Sequence, residues 1–171
     1  MEKPRIVIVM GVAGSGKSTI GALLASRIGA QFHDADEFHP PGNVAKMAAG
    51  IPLDDTDRAP WLARLRQEVI DAAPAGKLSV LACSALKRLY REHLGVGTEG
   101  VALVYLKGDP LTLSERITER SGHYMKAGML ESQLAILEEP SPDEGLTMEI
   151  ASSPEEIVAS IEAALGLPFF P

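Results

Sequence analysis

Residues 6 to 10, Ile-Val-Ile-Val-Met, form an unbroken apolar and largely β-branched run that stops at a glycine-rich stretch. With no polar alternation, such a run predicts a strand covered on both faces, as in the middle of a parallel sheet. From Lys17 onward Ile20, Leu23, Leu24 and Ile28 recur at helical spacing, and Gly29 follows in the place of a helix-ending residue. Residues 78–83 and 101–106 repeat the strand pattern, each followed by a helical one; the second of these helices opens with Asp109 as N-cap and Pro110 at its first position. A last short strand is predicted over residues 146–150. The closing helix carries Ser153, Pro154 and Glu156 as a capping box, Ile157, Val158, Ile161 and Leu165 as its buried stripe, and Gly166 as its stop. Strands alternating with helices predict βαβ crossovers and a parallel α/β sheet.

Two stretches interrupt this alternation: residues 39–61, rich in Pro, Gly and charge, and residues 120–142, where a glycine-histidine turn separates two helical patterns. Long excursions in an α/β domain are usually lids or binding segments. At 171 residues the chain fills one domain. Sixteen Lys and Arg against 23 Asp and Glu leave a net charge of −7, which opposes broad binding to nucleic acid or to an anionic membrane. Any anionic ligand must therefore be met by a local cluster. The single Cys83 allows no internal disulfide and no cysteine metal cage, which favours a reducing compartment, the cytosol first. The N-terminal apolar run is too short to span a membrane and carries no signal-peptide cleavage pattern.

Gly11, Val12, Ala13, Gly14, Ser15, Gly16, Lys17 and Ser18, with Thr19 after them, fit the Walker A pattern of an ATP-binding loop. Glycines let successive backbone N–H groups turn inward around phosphate oxygens, and the helix that starts here adds its positive end. Lys17 would neutralise the β- and γ-phosphates, and the Ser18 hydroxyl would ligate Mg²⁺, a hard ion that prefers oxygen. The plain alternative, an ordinary glycine-rich turn, leaves the Lys-Ser pair and the strand and helix flanks unexplained. Many P-loop proteins carry an aspartate on a second strand to hold the metal, yet residues 78–83 end Ala82-Cys83-Ser84 with no acid. Asp34 and Asp36, just after the short apolar piece at residues 31–33, are the substitutes. In an extended segment their side chains would point the same way and reach one site.

The phrases that follow carry a family likeness. Asp34-Ala35-Asp36-Glu37-Phe38-His39-Pro40, Gly50-Ile51-Pro52-Leu53, Asp55-Thr56-Asp57-Arg58 and Pro60-Trp61-Leu62 resemble the gluconate kinase (gluconokinase) family of P-loop sugar-acid kinases. Cys83-Ser84-Ala85-Leu86-Lys87 with Tyr90-Arg91, Tyr105-Leu106-Lys107-Gly108, and Gly122-His123-Tyr124-Met125-Lys126 with Met129-Leu130 and Gln133 extend the likeness to nearly the whole chain. The resemblance implies a five-stranded parallel sheet flanked by helices, an acceptor-binding segment at about 36–75 and a lid at about 116–140. It also implies ATP with Mg²⁺, phosphoryl transfer to the 6-hydroxyl of D-gluconate, and a cytoplasmic, usually homodimeric enzyme feeding the pentose phosphate pathway.

By the same resemblance Asp36 is the base or hydroxyl-orienting residue and Asp34 the metal-linked acid, two roles that sequence alone leaves exchangeable. Arg116 and Arg120, four apart on one helix face, are lid arginines for the transferring phosphates; the plain alternative is a solvated face paired with Glu115 and Glu119. Gluconate brings a carboxylate that a planar, bidentate donor suits best, so Arg58 is the first choice and Lys87 and Arg91 the second. His39 would donate to sugar hydroxyls. Trp61 is expected to pack the base of the acceptor segment, and Cys83 to be a small core residue. Two other functions compete: a shikimate-kinase-like enzyme acting on another small acid or alcohol, and a nucleotide-binding regulatory domain.

Overall fold

Strand β1 (Ile6–Met10) is buried at every residue, which is why its sequence shows no polar alternation. In the computed structural model, which describes residues 3–119 and 127–169, it lies at the centre of a parallel sheet of five strands. The others are β2 (Gln31–Asp34), β3 (Ser79–Ala82), β4 (Val101–Lys107) and β5 (Leu146–Glu149), in the order β2-β3-β1-β4-β5. All neighbouring pairs run parallel, with Ile6 beside Ser79 on one side and beside Val101 on the other. From β1 the chain fills one half of the sheet through β2 and β3 and then the other through β4 and β5. The order therefore reverses at β1, and the crevice beyond its carboxyl end is where an open α/β sheet takes its ligand.

Seven helices accompany the sheet: α1 (Lys17–Ile28), α2 (Pro41–Ala48), α3 (Asp55–Leu65), α4 (Arg88–His93), α5 (Pro110–Glu119), α6 (Ala127–Ile136) and α7 (Pro154–Leu165), counted among the described residues. α1 buries Ile20, Leu24 and Ile28, and ends at Gly29, whose φ of 67° is the left-handed conformation that glycine adopts freely. α7 packs beside it and is held there by Arg27 and Glu162 at 2.8 Å.

Asp109 accepts from the Thr112 N–H at 2.9 Å and caps α5, as its sequence predicts. The box predicted at α7 is only half made: Ser153 accepts from the Glu156 N–H at 3.2 Å, without the return bond. The reciprocal box stands at α3 instead, where Asp54 accepts from the Asp57 N–H at 2.7 Å and the Asp54 N–H donates to Asp57 at 3.0 Å. Residues 39–61, which lack a helical period, thus hold α2 and the first turns of α3. α3 runs on into a π turn at Arg66–Ile70, which buries Val69 and Ile70 in the core.

Candidate active site

The chain leaves β1 into the phosphate loop, where Gly14 and Gly16 have φ of +82° and +88°. A side chain at Gly14 would also meet the Leu113 carbonyl at 2.9 Å, so this position is closed to larger residues by conformation and by space. α1 starts at Lys17 with no side chain capping it, leaving the N–H groups of its first turn turned toward the crevice.

Sheet register brings a distant acid to this loop. Asp34 aligns with Ala82, and Ala82 with Val9, so the end of β2 lies level with the end of β1. Ser18 Oγ donates to Asp34 Oδ2 at 3.0 Å. A hydroxyl and a carboxylate side by side are hard oxygen donors of the kind Mg²⁺ takes, the remaining positions going to phosphate and water. The same residue's Oδ1 accepts from the Asp36 N–H at 3.0 Å and caps a 3₁₀ turn over Ala35–Phe38. This corrects the extended-segment expectation: the chain turns at Asp34, and Asp36 departs from the strand's alternation. Asp34 goes to Ser18, and Asp36 to the wall of a neighbouring cavity.

That cavity has a volume of about 290 Å³ and is lined by Lys17, Asp36, His39, Arg58, Ser84 and Gln133 among others. Trp61 also lines it: Nε1 donates to the Ala35 carbonyl at 2.7 Å and the indole stacks on His39 with ring centroids 4.3 Å apart. Burial lowers the His39 pKa below its usual value against the opposing pull of Asp36, and Arg58 lowers it further, so the ring is neutral near pH 7. Asn43 Nδ2 lies 3.2 Å from Nδ1 and has only donors to give, which puts the ring proton on Nε2. Arg58 is buried at the cavity wall, donating to the Leu53 carbonyl at 2.6 Å and to the Tyr90 hydroxyl at 3.3 Å. Lys17 and Arg58 against Asp36 give the lining a net positive charge, suited to an anionic guest.

The other predicted basic residues are placed differently. Arg91 is withdrawn from substrate binding: it is 1 % exposed, pairs with Glu144 at 2.9 Å and donates to the Ala85 and Leu86 carbonyls, so its donors are already used in the interior. Lys87 lies outside the cavity lining and binds Asp55 at 2.8 Å, tying α4 to α3. Arg116 donates to the Ile150 carbonyl at 2.9 Å and lines a second cavity of about 310 Å³ with Gly14, Gly16, Thr19 and Pro154, on the far side of the phosphate loop from Asp36. Arg120 and the glycine-histidine turn fall outside the described residues. α6, within the expected lid, contributes Met129, Ser132 and Gln133 to the Asp36 cavity. Tyr90 escaped the sequence reading as a site residue: its hydroxyl bonds Asp55 and Arg58, residues of α3 that α4 meets only in the fold.

The chain matches the shikimate kinase family profile over residues 13–163. It is 47 % identical to a gluconokinase of Gluconobacter oxydans (strain 621H) over 142 residues, covering 83 % of this chain and 80 % of that protein. Among solved structures, a gluconokinase from Sinorhizobium meliloti 1021 is 39 % identical with a TM-score of 0.85, over 97 % of this chain and 94 % of that one. An unliganded sugar kinase from Janibacter sp. HTCC2649 is 42 % identical with a TM-score of 0.88, over 96 % of this chain and 95 % of the other.

Proposed function

The chain belongs to the gluconokinase family of P-loop kinases, and we propose that it transfers the γ-phosphoryl group of ATP to the 6-hydroxyl of D-gluconate. One observation carries the reading: a small, net-positive cavity in which Lys17 of the phosphate loop, Asp36 and Arg58 share a wall. Phosphoryl transfer asks mainly for positioning and for charge around the moving group. The loop N–H groups and Lys17 hold the phosphates, and the cavity beside Arg116 and Thr19 takes the rest of the nucleotide. Arg58 meets the gluconate carboxylate, and the His39 Nε2–H donates to a sugar hydroxyl. Asp36 orients the 6-hydroxyl and accepts its proton as the oxygen–phosphorus bond forms and the bond to the β-phosphate breaks. Bound at Ser18 and Asp34, Mg²⁺ would neutralise charge on the phosphate oxygens.

The profile match to shikimate kinases reflects the shared fold and phosphate loop. The 39–47 % identity to gluconokinases over most of the chain favours the sugar acid over another small acid, and over a purely regulatory role. Homodimer formation and a cytoplasmic setting rest on the resemblance alone; sedimentation of the purified chain checks the dimer. The functional test is ATP consumption across a panel of sugar acids and shikimate. Gluconate should stimulate turnover far above the others. Stimulation by shikimate alone, or tight ATP binding with no stimulation by any acid, would overturn the proposal.

A further inference from the structure

α6 touches the phosphate loop through one polar contact: Gln133 Oε1 accepts from the Ala13 N–H at 2.7 Å, across 120 residues of sequence. Because the facing group is a donor, the oxygen branch of the amide must be the one turned toward Ala13. The planar group then carries its two N–H donors on its other branch, and the residue lines the cavity with Lys17, Asp36 and Ser84. Its neighbour Ser132 donates to the Met129 carbonyl at 2.9 Å.

The far end of α6 is also fixed, since the Glu138 N–H donates to the Leu86 carbonyl at 2.8 Å and Glu138 Oε1 accepts from the Arg88 N–H at 3.0 Å. α6 is therefore tied down just past its C-terminal end, and Gln133 is tied to the phosphate loop at the edge of the acceptor cavity. A neutral amide suits that place. It adds donors without a charge that would pair with Asp36 and draw it from the acceptor hydroxyl.

We propose that Gln133 is a further catalytic residue: pinned by Ala13 through its carbonyl oxygen, it gives its amide N–H to an equatorial oxygen of the phosphoryl group as that group crosses from nucleotide to acceptor. The acceptor proton goes to Asp36 and the leaving oxygen stays with ADP; Gln133 gains and loses no proton. The proposal rests on the kinase reading above, because it needs a phosphoryl group in transit through this cavity.

Two variants separate this role from that of a structural pin. Gln133→Glu keeps the length and the acceptor for Ala13 but replaces the amide donor by a negative oxygen; Gln133→Leu removes both. Loss of one preorganised donor to a developing charge lowers kcat about a hundredfold. Both variants should fall by that order with melting temperatures close to wild type, and the ratio of Gln133→Glu to wild-type kcat should rise as pH is lowered toward the carboxyl range of about 4 to 6, where a protonated side chain regains a donor. A Gln133→Glu enzyme with wild-type kcat at every pH, beside an impaired Gln133→Leu, would overturn the proposal and leave a pin between α6 and the loop. Failure of the kinase reading looks different: wild-type protein would then show no gluconate-dependent turnover at all.

Discussion

The hydrogen bond from the Asp36 N–H to Asp34 Oδ1 at 3.0 Å turns the chain between two nearby acids, so that one faces Ser18 and the other the acceptor cavity. Asp36→Asn keeps a group able to hydrogen-bond the acceptor hydroxyl but removes the one that takes its proton. Its kcat should fall steeply while the KM for ATP stays near wild type; steady-state kinetics check this, and a rise in ATP KM at unchanged kcat would move Asp36 to the nucleotide. Arg58 is tied to Leu53 and Tyr90 on the protein side, so its planar group enters the cavity already oriented. In Arg58→Lys the charge survives without the fork geometry. The expected loss is about 1.5–3 kcal/mol, a rise of roughly ten- to a hundredfold in gluconate KM. Phosphorylation of the corresponding neutral alditol should hardly change, and equal losses on acid and alditol would show that Arg58 serves phosphate or folding instead.

At the scale of elements, α4 is anchored through Arg91, whose guanidinium pairs with Glu144 just before β5, with side-chain exposures of 1 % and 9 %. Removing one member of such a pair leaves the other charge buried, so Glu144→Gln should destabilise the fold by about 3–5 kcal/mol in denaturant titrations. Burial alone would raise the Glu144 pKa, but the hydrogen bonds from Arg91 and from the Ser141 N–H outweigh it and hold the carboxyl below its usual value. The pair's stabilisation is thus complete above the unfolded carboxyl pKa and is lost as pH falls through the folded one. Wild-type stability should decline on that acid limb more steeply than that of Glu144→Gln.

The same pair marks where sequence stops being informative. The central strand, the phosphate loop and the capped start of α5 follow from contiguous residues: an apolar run, glycines at turn positions, Asp109 before Pro110. Arg91 and Glu144 are 53 positions apart, and nothing local distinguishes a buried arginine from one free to bind a carboxylate. The box at α3 was missed because its N3 residue is Asp57 rather than the Glu or Gln of the usual pattern, inside a stretch whose prolines and glycines hide the helical period. The contact between Gln133 and Ala13 likewise joins residues 120 positions apart, which only the fold brings together.

Taken as a whole, the molecule divides its crevice at the end of β1, with the Arg116 cavity on one side of the phosphate loop and the Asp36 cavity on the other. Cys83 is buried directly after β3, its N–H bonded to the Val9 carbonyl at 3.0 Å. Burial pushes its thiol up to about 12, helped by the carboxylates of Asp36 and Asp34. A thiolate is the reactive form, so labelling should proceed only as fast as the sheet opens globally. ATP with Mg²⁺ should slow it in proportion to occupancy, since a ligand bound only by the folded state suppresses opening; labelling faster than unfolding, or indifferent to ATP, would contradict this.

The central claim is that the two cavities serve one reaction, and ³¹P NMR of the products tests it most directly. With ATP, Mg²⁺ and gluconate, wild-type protein should yield ADP and a single phosphomonoester whose phosphorus couples to the methylene protons of C6. Lys17→Ala should yield almost none, since losing one preorganised charge donor costs about 2.7–4 kcal/mol. Orthophosphate in place of the ester, an ester on another carbon, or unchanged product formation by Lys17→Ala would contradict the account.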